Sequence, residues 1–116
     1  MSGLVSHCAG LSAEAAVAAH YGAAGAIVLA RRWRGGGGEI DLILDQAGCI
    51  VFVEVKQAGN FDRAAARVSP AQRARLFAAA EVFLGSLPGG APRDCRFDVA
   101  LVDGTGRTRI VENAFL

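Results

Sequence analysis

The stretch GEIDLILDQAGCIVFVEVKQ, residues 38–57, decides the architecture of this chain. From Glu39 to Leu44, acidic and aliphatic residues alternate, the pattern of a strand with one buried face. Asp45-Gln46-Ala47-Gly48 has the composition of a hairpin turn. Cys49 to Val55 is then apolar on both faces, as in a central strand, with Glu54 and Lys56 only at its end. Side chains alternate along a strand, so Glu54 and Lys56 project from one face, and Glu39 and Asp41 share a face of the preceding strand. The pairing predicts an acidic cluster with one amine beside it.

That amine belongs to the only lysine in 116 residues, against 11 arginines. A guanidinium stays charged and presents a planar fork, whereas an ammonium is a compact, tunable charge able to orient a water. A chain that uses arginine everywhere else and lysine here suggests that the amine itself is needed.

Working outward, Ser12-Ala13-Glu14 predicts a helix entry with Ser12 as N-cap, and an alanine-rich helix runs to about Tyr21, ended by Gly22. Ala26 to Trp33 predicts a strand, and Gly35 to Gly38 a pliable connection into the next, so that three successive strands form a meander. Between Gln57 and Val68 the signals are mixed, with a short helical turn over Arg63 to Arg67. Ser69-Pro70 starts a second helix, because Ser caps and Pro suits the first helical position. Its apolar stripe of Leu76, Ala80, Phe83 and Leu84 runs to about Gly85 and is expected to pack on the sheet. After a Pro/Gly loop, Arg96 to Val102 forms a strand with Phe97, Val99 and Leu101 on one face, and Arg107 to Glu112 forms the last. The order is αβββαββ, an α/β fold with a mixed sheet flanked by helices. The length suits one domain over 1–116, with 1–10 expected to be poorly ordered.

Composition narrows the function. A net charge of +1 does not mark the molecule as a polyanion binder, so a nucleic-acid footprint has to come from local arginine placement. The most apolar uncharged stretch, Ala15 to Ala30, falls short of the roughly 18–20 residues a membrane span needs. Glu14 inside the first apolar region, with no basic residue before it, argues against a secretory signal, and a cytoplasmic protein without membrane partners is expected. Cys8, Cys49 and Cys95 show no metal-ligand spacing and suit reduced, packed thiols. The glycine run lacks the Lys-Ser/Thr of a phosphate-binding loop, and His7 and His20 have no partners for a triad.

An acid in the first helix (Ala13-Glu14), the motif Gly38-Glu39-Ile40-Asp41-Leu42-Ile43, the motif Phe52-Val53-Glu54-Val55-Lys56, and Arg96-Phe97-Asp98-Val99 resemble, in order and spacing, the restriction-endonuclease-like or PD-(D/E)xK nucleases. The likeness is closest to the YraN family of small bacterial proteins, and it is similar in plan to Holliday-junction-resolvase-like enzymes. The resemblance implies a restriction-endonuclease-like core and a Mg²⁺ (or Mn²⁺) site cleaving DNA phosphodiesters, with branched or single-stranded DNA as candidate substrates. Asp41 and Glu54 would be metal ligands, joined by the backbone carbonyl of Val55 and, through water or at a second metal, by Glu14. Lys56 would hold or help deprotonate the attacking water. Two departures stand out. The family often carries an arginine where this chain has Ala58, and a lysine near Ala71, for which Gln72 or Arg73 would substitute.

Each residue also has a plainer reading. Glu54 and Lys56 pair at a strand end in many proteins, Glu14 suits the positive end of its helix, and Glu39 has Arg31, Arg32 or Arg34 across the hairpin. Asp98 is expected to hold an arginine or cap a loop. Arg31, Arg32, Arg34, Arg63, Arg67 and Arg73, with Gln72, flank the acids and would give salt-sensitive phosphate contacts, and Trp33 offers a ring for stacking an unpaired base. The same arginines serve equally as a solvated surface. The leading expectation is therefore a metal-dependent nuclease acting on DNA, with a second copy of the chain as a candidate partner. The alternative is a weak or inactive nucleic-acid-binding or protein-interaction module on the same fold.

Overall fold

The three-stranded meander forms the centre of the protein in the computed structural model, which describes residues 2–89 and 94–115, with side chains from Ala13 onward. Helix α1 (Ser2–Ala23) leads into β1 (Ile27–Gly35), β2 (Gly38–Gln46) and β3 (Cys49–Gln57). A short α2 (Phe61–Ala65) and the longer α3 (Pro70–Ser86) then cross to β4 (Cys95–Val102) and β5 (Thr108–Val111). The sheet order is β1-β2-β3-β4-β5, antiparallel at every pairing except the parallel β3–β4 pair. A parallel neighbour requires a crossover, which α2 and α3 supply.

The turns explain the register. Gln46 pairs with Cys49 across Ala47-Gly48, and the Asp45 carboxylate accepts the Gly48 N–H at 2.9 Å. On β3, Ile50, Val51, Phe52 and Val53 are fully buried. Val51 and Val53 pack with Leu42 and Leu44 against Ala13, Val17, Ala18 and Tyr21 of α1. Ile50 and Phe52 pack with Leu76, Ala79, Ala80 and Phe83 of α3 on the opposite face. Further along that face, Val99 and Leu101 of β4 pack with Ala64 of α2. The expected apolar stripe of α3 and the inward face of β4 are both realised.

The start of the chain departs from expectation. Helix α1 begins at Ser2, so Ser12 lies inside it rather than capping it. Residues 4–11 contain no proline to interrupt the helix that Glu14 and the alanines continue. The expectation of poor order over 1–10, and those for His7 and Cys8, fall on Met1 or on side chains outside the described residues. The helix ends later than Gly22. Gly25 takes φ +90°, with Ala26 N–H donating to the Tyr21 carbonyl at 3.1 Å and Gly25 N–H to that of Gly22 at 3.0 Å, a Schellman closure. The helical turn expected at Arg63 to Arg67 falls two residues earlier, over Phe61–Ala65, because Asn60 accepts the Arg63 N–H at 2.8 Å and caps it. Ser69 caps α3 as expected, accepting the Gln72 N–H at 3.1 Å.

A buried polar network ties α1 to β4. Asp98 is 1% exposed. It accepts the Tyr21 hydroxyl at 2.8 Å, the Arg96 Nε–H at 3.1 Å and the Asn113 N–H at 3.2 Å. Burial first, and the Asp98 carboxylate second, push the Tyr21 phenol far above its ordinary value. Asp98 thus has the structural role expected of it. Asp98→Ala would strand a buried hydroxyl and a guanidinium together, and is expected to cost about 3–5 kcal/mol. Tyr21→Phe removes one hydrogen bond and should cost about 1 kcal/mol. Urea unfolding of both variants checks the ratio, and equal losses would show that Asp98 does not organise the network.

Candidate functional site

The paired ladder between β2 and β3 stops at Leu42 and Val53. Continued in register, Ile40 would sit opposite Val55. Instead the Val55 N–H donates to Asp41 Oδ2 at 2.8 Å. A side-chain carboxylate therefore takes the bond that the ladder abandons, as a part-buried backbone donor requires. The N–H and C=O of one strand residue point to the same edge, so the Val55 carbonyl faces the same opening.

Strand alternation brings Glu54 and Lys56 onto the α3 face, as the sequence predicts. Glu54 is 7% exposed. Its Oε1 lies 3.3 Å from Lys56 Nζ and accepts from Gln72 Nε2 at 3.1 Å. Gln72 reaches it because it sits in the first turn of α3, placed by the Ser69 cap. The resemblance offered Gln72 or Arg73 for this place, and the structure brings Gln72 there. Arg73 points away and lies over the Phe115 ring, 4.9 Å from its centroid.

The electrostatics of the pair are under tension. Burial pushes the Glu54 carboxyl up to about 7, the nearby Asp41 charge adds to this, and Lys56 offsets part of it. Burial likewise raises Asp41, against the lowering effect of the Val55 N–H. The Asp41 charge adds to the rise at Glu54, after burial. Two acids forced together in a dry place tend to share a proton.

Glu14 is held by Arg32, whose Nε donates to its carboxylate at 3.1 Å. Its charge still raises Asp41, so it stands at the edge of the site rather than inside it. Arg32 reaches back to α1 from a bulged region of β1, where the register shifts between Val28 and Ala30 and Arg32 itself takes φ +50°. Glu39 leaves the cluster and pairs with Arg34 at 3.5 Å, the plainer of its two readings. Trp33 packs edge-on against Phe83, 5.5 Å between centroids, so its ring serves the core with α3 rather than an open stacking surface. Arg31, Arg32 and Arg34 on β1, Arg63 in α2 and Arg67 just after it are exposed.

Among the described residues, no group of three or more His, Cys, Asp or Glu gathers to hold a metal by side chains alone. Asp41 and Glu54 are a pair, and the Val55 carbonyl faces the same opening. Magnesium is commonly held by one or two carboxylates and keeps several waters, so this donor set fits it. Sequence reasoning missed two features: the Asp41 bond to the Val55 N–H, and Arg32 as the partner of Glu14. The first had no signal in composition. The second was visible only as a cation of β1 in reach of any acid nearby.

A family model described as uncharacterised protein family UPF0102 matches residues 13–102, which include every residue of this site. The chain belongs to UPF0102. This is the family to which the likeness to YraN pointed. A UPF0102 protein of Roseobacter denitrificans is 51% identical over 113 residues, covering 97% of this chain and 88% of that protein. One of Cereibacter sphaeroides is 53% identical over 115 residues, covering 99% and 98%. One of Ruegeria pomeroyi is 52% identical over 113 residues, covering 97% and 92%. Among the described residues of this UPF0102 chain, no helix is long and apolar enough to cross a membrane.

The raised Glu54 has a sign that can be measured. Between its ordinary value of 4.5 and the folded value of about 7, the folded protein holds a proton that the unfolded chain has released. The favourable contribution is complete below 4.5 and is lost as pH rises through about 7. Glu54→Gln should therefore leave the melting temperature near that of wild type at acid pH. At about pH 8 it should stabilise by roughly 2–3 kcal/mol. A variant that is destabilised at both pH values would show that the ion pair with Lys56, not the buried charge, dominates.

Proposed function

We propose that this UPF0102 protein is a metal-dependent nuclease with a restriction-endonuclease-like core, acting on DNA phosphodiester bonds. The observation that carries the reading is the opening between β2 and β3. There one buried carboxyl, Glu54, a half-buried one, Asp41, a backbone carbonyl edge and the only lysine meet. Asp41, Glu54 and the Val55 carbonyl would hold Mg²⁺ or Mn²⁺, which supplies charge to polarise a phosphoryl oxygen and to favour a nucleophilic water near neutral pH.

The chain's own residues divide the remaining work. The Val55 N–H fixes one oxygen of Asp41, which orients the other toward the opening. Gln72 orients Glu54 in the same way, through an amide that adds no charge. Lys56 balances the buried acids at rest, and its ammonium is placed to orient a water and to stabilise negative charge developing on phosphorus. The flanking arginines add sequence-independent affinity for the backbone. Branched DNA is the substrate suggested by the likeness to resolvase-like enzymes, a fold-level analogy.

A second reading rests on Glu14. Its carboxylate is engaged by Arg32, and Ala58 leaves out a cation that related nucleases often have, which suits a nucleic-acid-binding module with little catalysis. Cleavage of single-stranded, duplex, flap and four-way-junction DNA separates the two. In Mg²⁺ or Mn²⁺, wild type is expected to cut and Asp41→Asn to lose at least about 100-fold. The same metals should raise the melting temperature of wild type and not of Asp41→Asn. Binding without cutting, unaffected by metal, would support the module reading instead.

A further inference from the structure

The hairpin joining β1 to β2 carries glycines at 35, 36, 37 and 38, which the chemistry above does not use. Gly36 and Gly37 make its two-residue turn, with φ of +61° and +83°. The turn lies directly on α3. A Cβ on Gly36 would stand 2.8 Å from the Ala78 carbonyl oxygen, and one on Gly38 2.5 Å from that of Arg75. No other residue permits this approach of two backbones. The docking leaves an open notch of about 390 Å³ lined by Arg34, Arg75, Glu39 and the backbone of Gly35, Gly37 and Gly38. Among the described residues, the Gly37 N–H has no hydrogen-bond partner.

Two guanidiniums and a free backbone N–H around one notch form an anion receptor, because the planar fork of arginine matches phosphate oxygens. Glu39 reduces the positive charge, but its contact with Arg34 is long at 3.5 Å, and the two side chains are 39% and 80% exposed. Exposed pairs of this kind are weak and readily exchanged for another anion. The notch and the acidic opening are carried by the same two elements. Glu39 and Asp41 lie two positions apart on β2, and Arg75 follows Gln72 by one turn of α3. From Gly38 to Asp41 the strand advances roughly 10 Å. A strand position about 10 Å away is on the order of one or two backbone phosphates along a nucleic-acid strand, whose successive phosphates are spaced more widely than the axial rise.

We propose that the notch of Arg34, Arg75 and the glycine turn binds a backbone phosphate of the same nucleic-acid strand whose scissile phosphate meets Asp41 and Glu54, one or two nucleotides away. The notch sets the register of the strand on the protein, and the proposal rests on the nuclease reading above. Arg34 and Arg75 are positioning residues, since neither touches the reacting atoms.

The test uses the full chain in chelator, without divalent metal. Anisotropy of a fluorescent single-stranded oligonucleotide gives affinity, and amide shifts of Gly36 and Gly37 in isotope-labelled protein follow inorganic pyrophosphate. Arg34→Gln and Arg75→Gln should each weaken oligonucleotide binding about three- to tenfold and lower the salt slope by about one. Glu39→Gln should tighten it. Arg109→Gln, on edge strand β5 with its guanidinium over Phe61, should leave it unchanged. Equal losses from Arg109→Gln and Arg75→Gln would overturn the notch in favour of diffuse charge. Metal-dependent cleavage with an unmoved Gly37 amide would overturn the notch and leave the nuclease. Saturable pyrophosphate shifts without cleavage by wild type would retain the phosphate notch and remove the nuclease.

Discussion

The hydrogen bond from the Val55 N–H to Asp41 is the constraint on which the rest of this site depends. Two antiparallel strands joined by a tight turn would ordinarily continue to pair. Beyond Leu42 and Val53 they do not. An opened ladder exposes a backbone donor in a part-buried place, which costs about 1–3 kcal/mol if left unpaired. A charged oxygen is a stronger acceptor than the carbonyl it replaces, so Asp41 both closes the vacancy and holds the strands apart. Separation gives room for Glu54, Lys56 and the Val55 carbonyl to face one small volume. With continuous pairing, Ile40 would fill that edge.

The cost of this arrangement appears in Glu54. A carboxyl with its value raised to about 7 by burial and a neighbouring acid is a poor choice for stability at neutral pH. Leucine or glutamine would serve the core better. Residues that oppose folding in this way tend to be placed by function. The choice of lysine fits the same logic. A guanidinium at position 56 would present a fork able to bridge both acids and seal the opening. A single ammonium, 16% exposed at the side chain, contacts Glu54 through one oxygen.

The sequence displays this site unevenly, and the reasons are physical. Glu54 and Lys56 were legible because strand alternation is local and fixes their common face. The β3 run and the Ser69-Pro70 cap were legible for the same reason. The same alternation placed Glu39 beside Asp41 and was misleading, because the strand diverges from its partner at that point and each acid finds a different neighbour. The link between Tyr21 and Asp98 joins residues 77 positions apart, and no local pattern announces it. The early start of α1 was hidden because Ser12 is a good cap, and a cap is decisive only where the preceding residues resist helix.

Two buried carboxylates of this molecule make the functional argument by contrast. Asp98 receives a phenol hydroxyl, a guanidinium and a backbone N–H, and the one other acid on that guanidinium, Glu112, sits 3.6 Å away and is largely exposed. Those surroundings neutralise Asp98. Glu54 receives one amide and one ammonium, and it faces a second acid. A fold able to satisfy Asp98 so completely, only one strand away, does not lack donors. The shortfall at Glu54 lies at the opening, where a further positive charge from solution would relieve both acids at once. Incomplete compensation beside complete compensation in the same sheet is therefore the physical reason to place function at Asp41 and Glu54, and structure at Asp98.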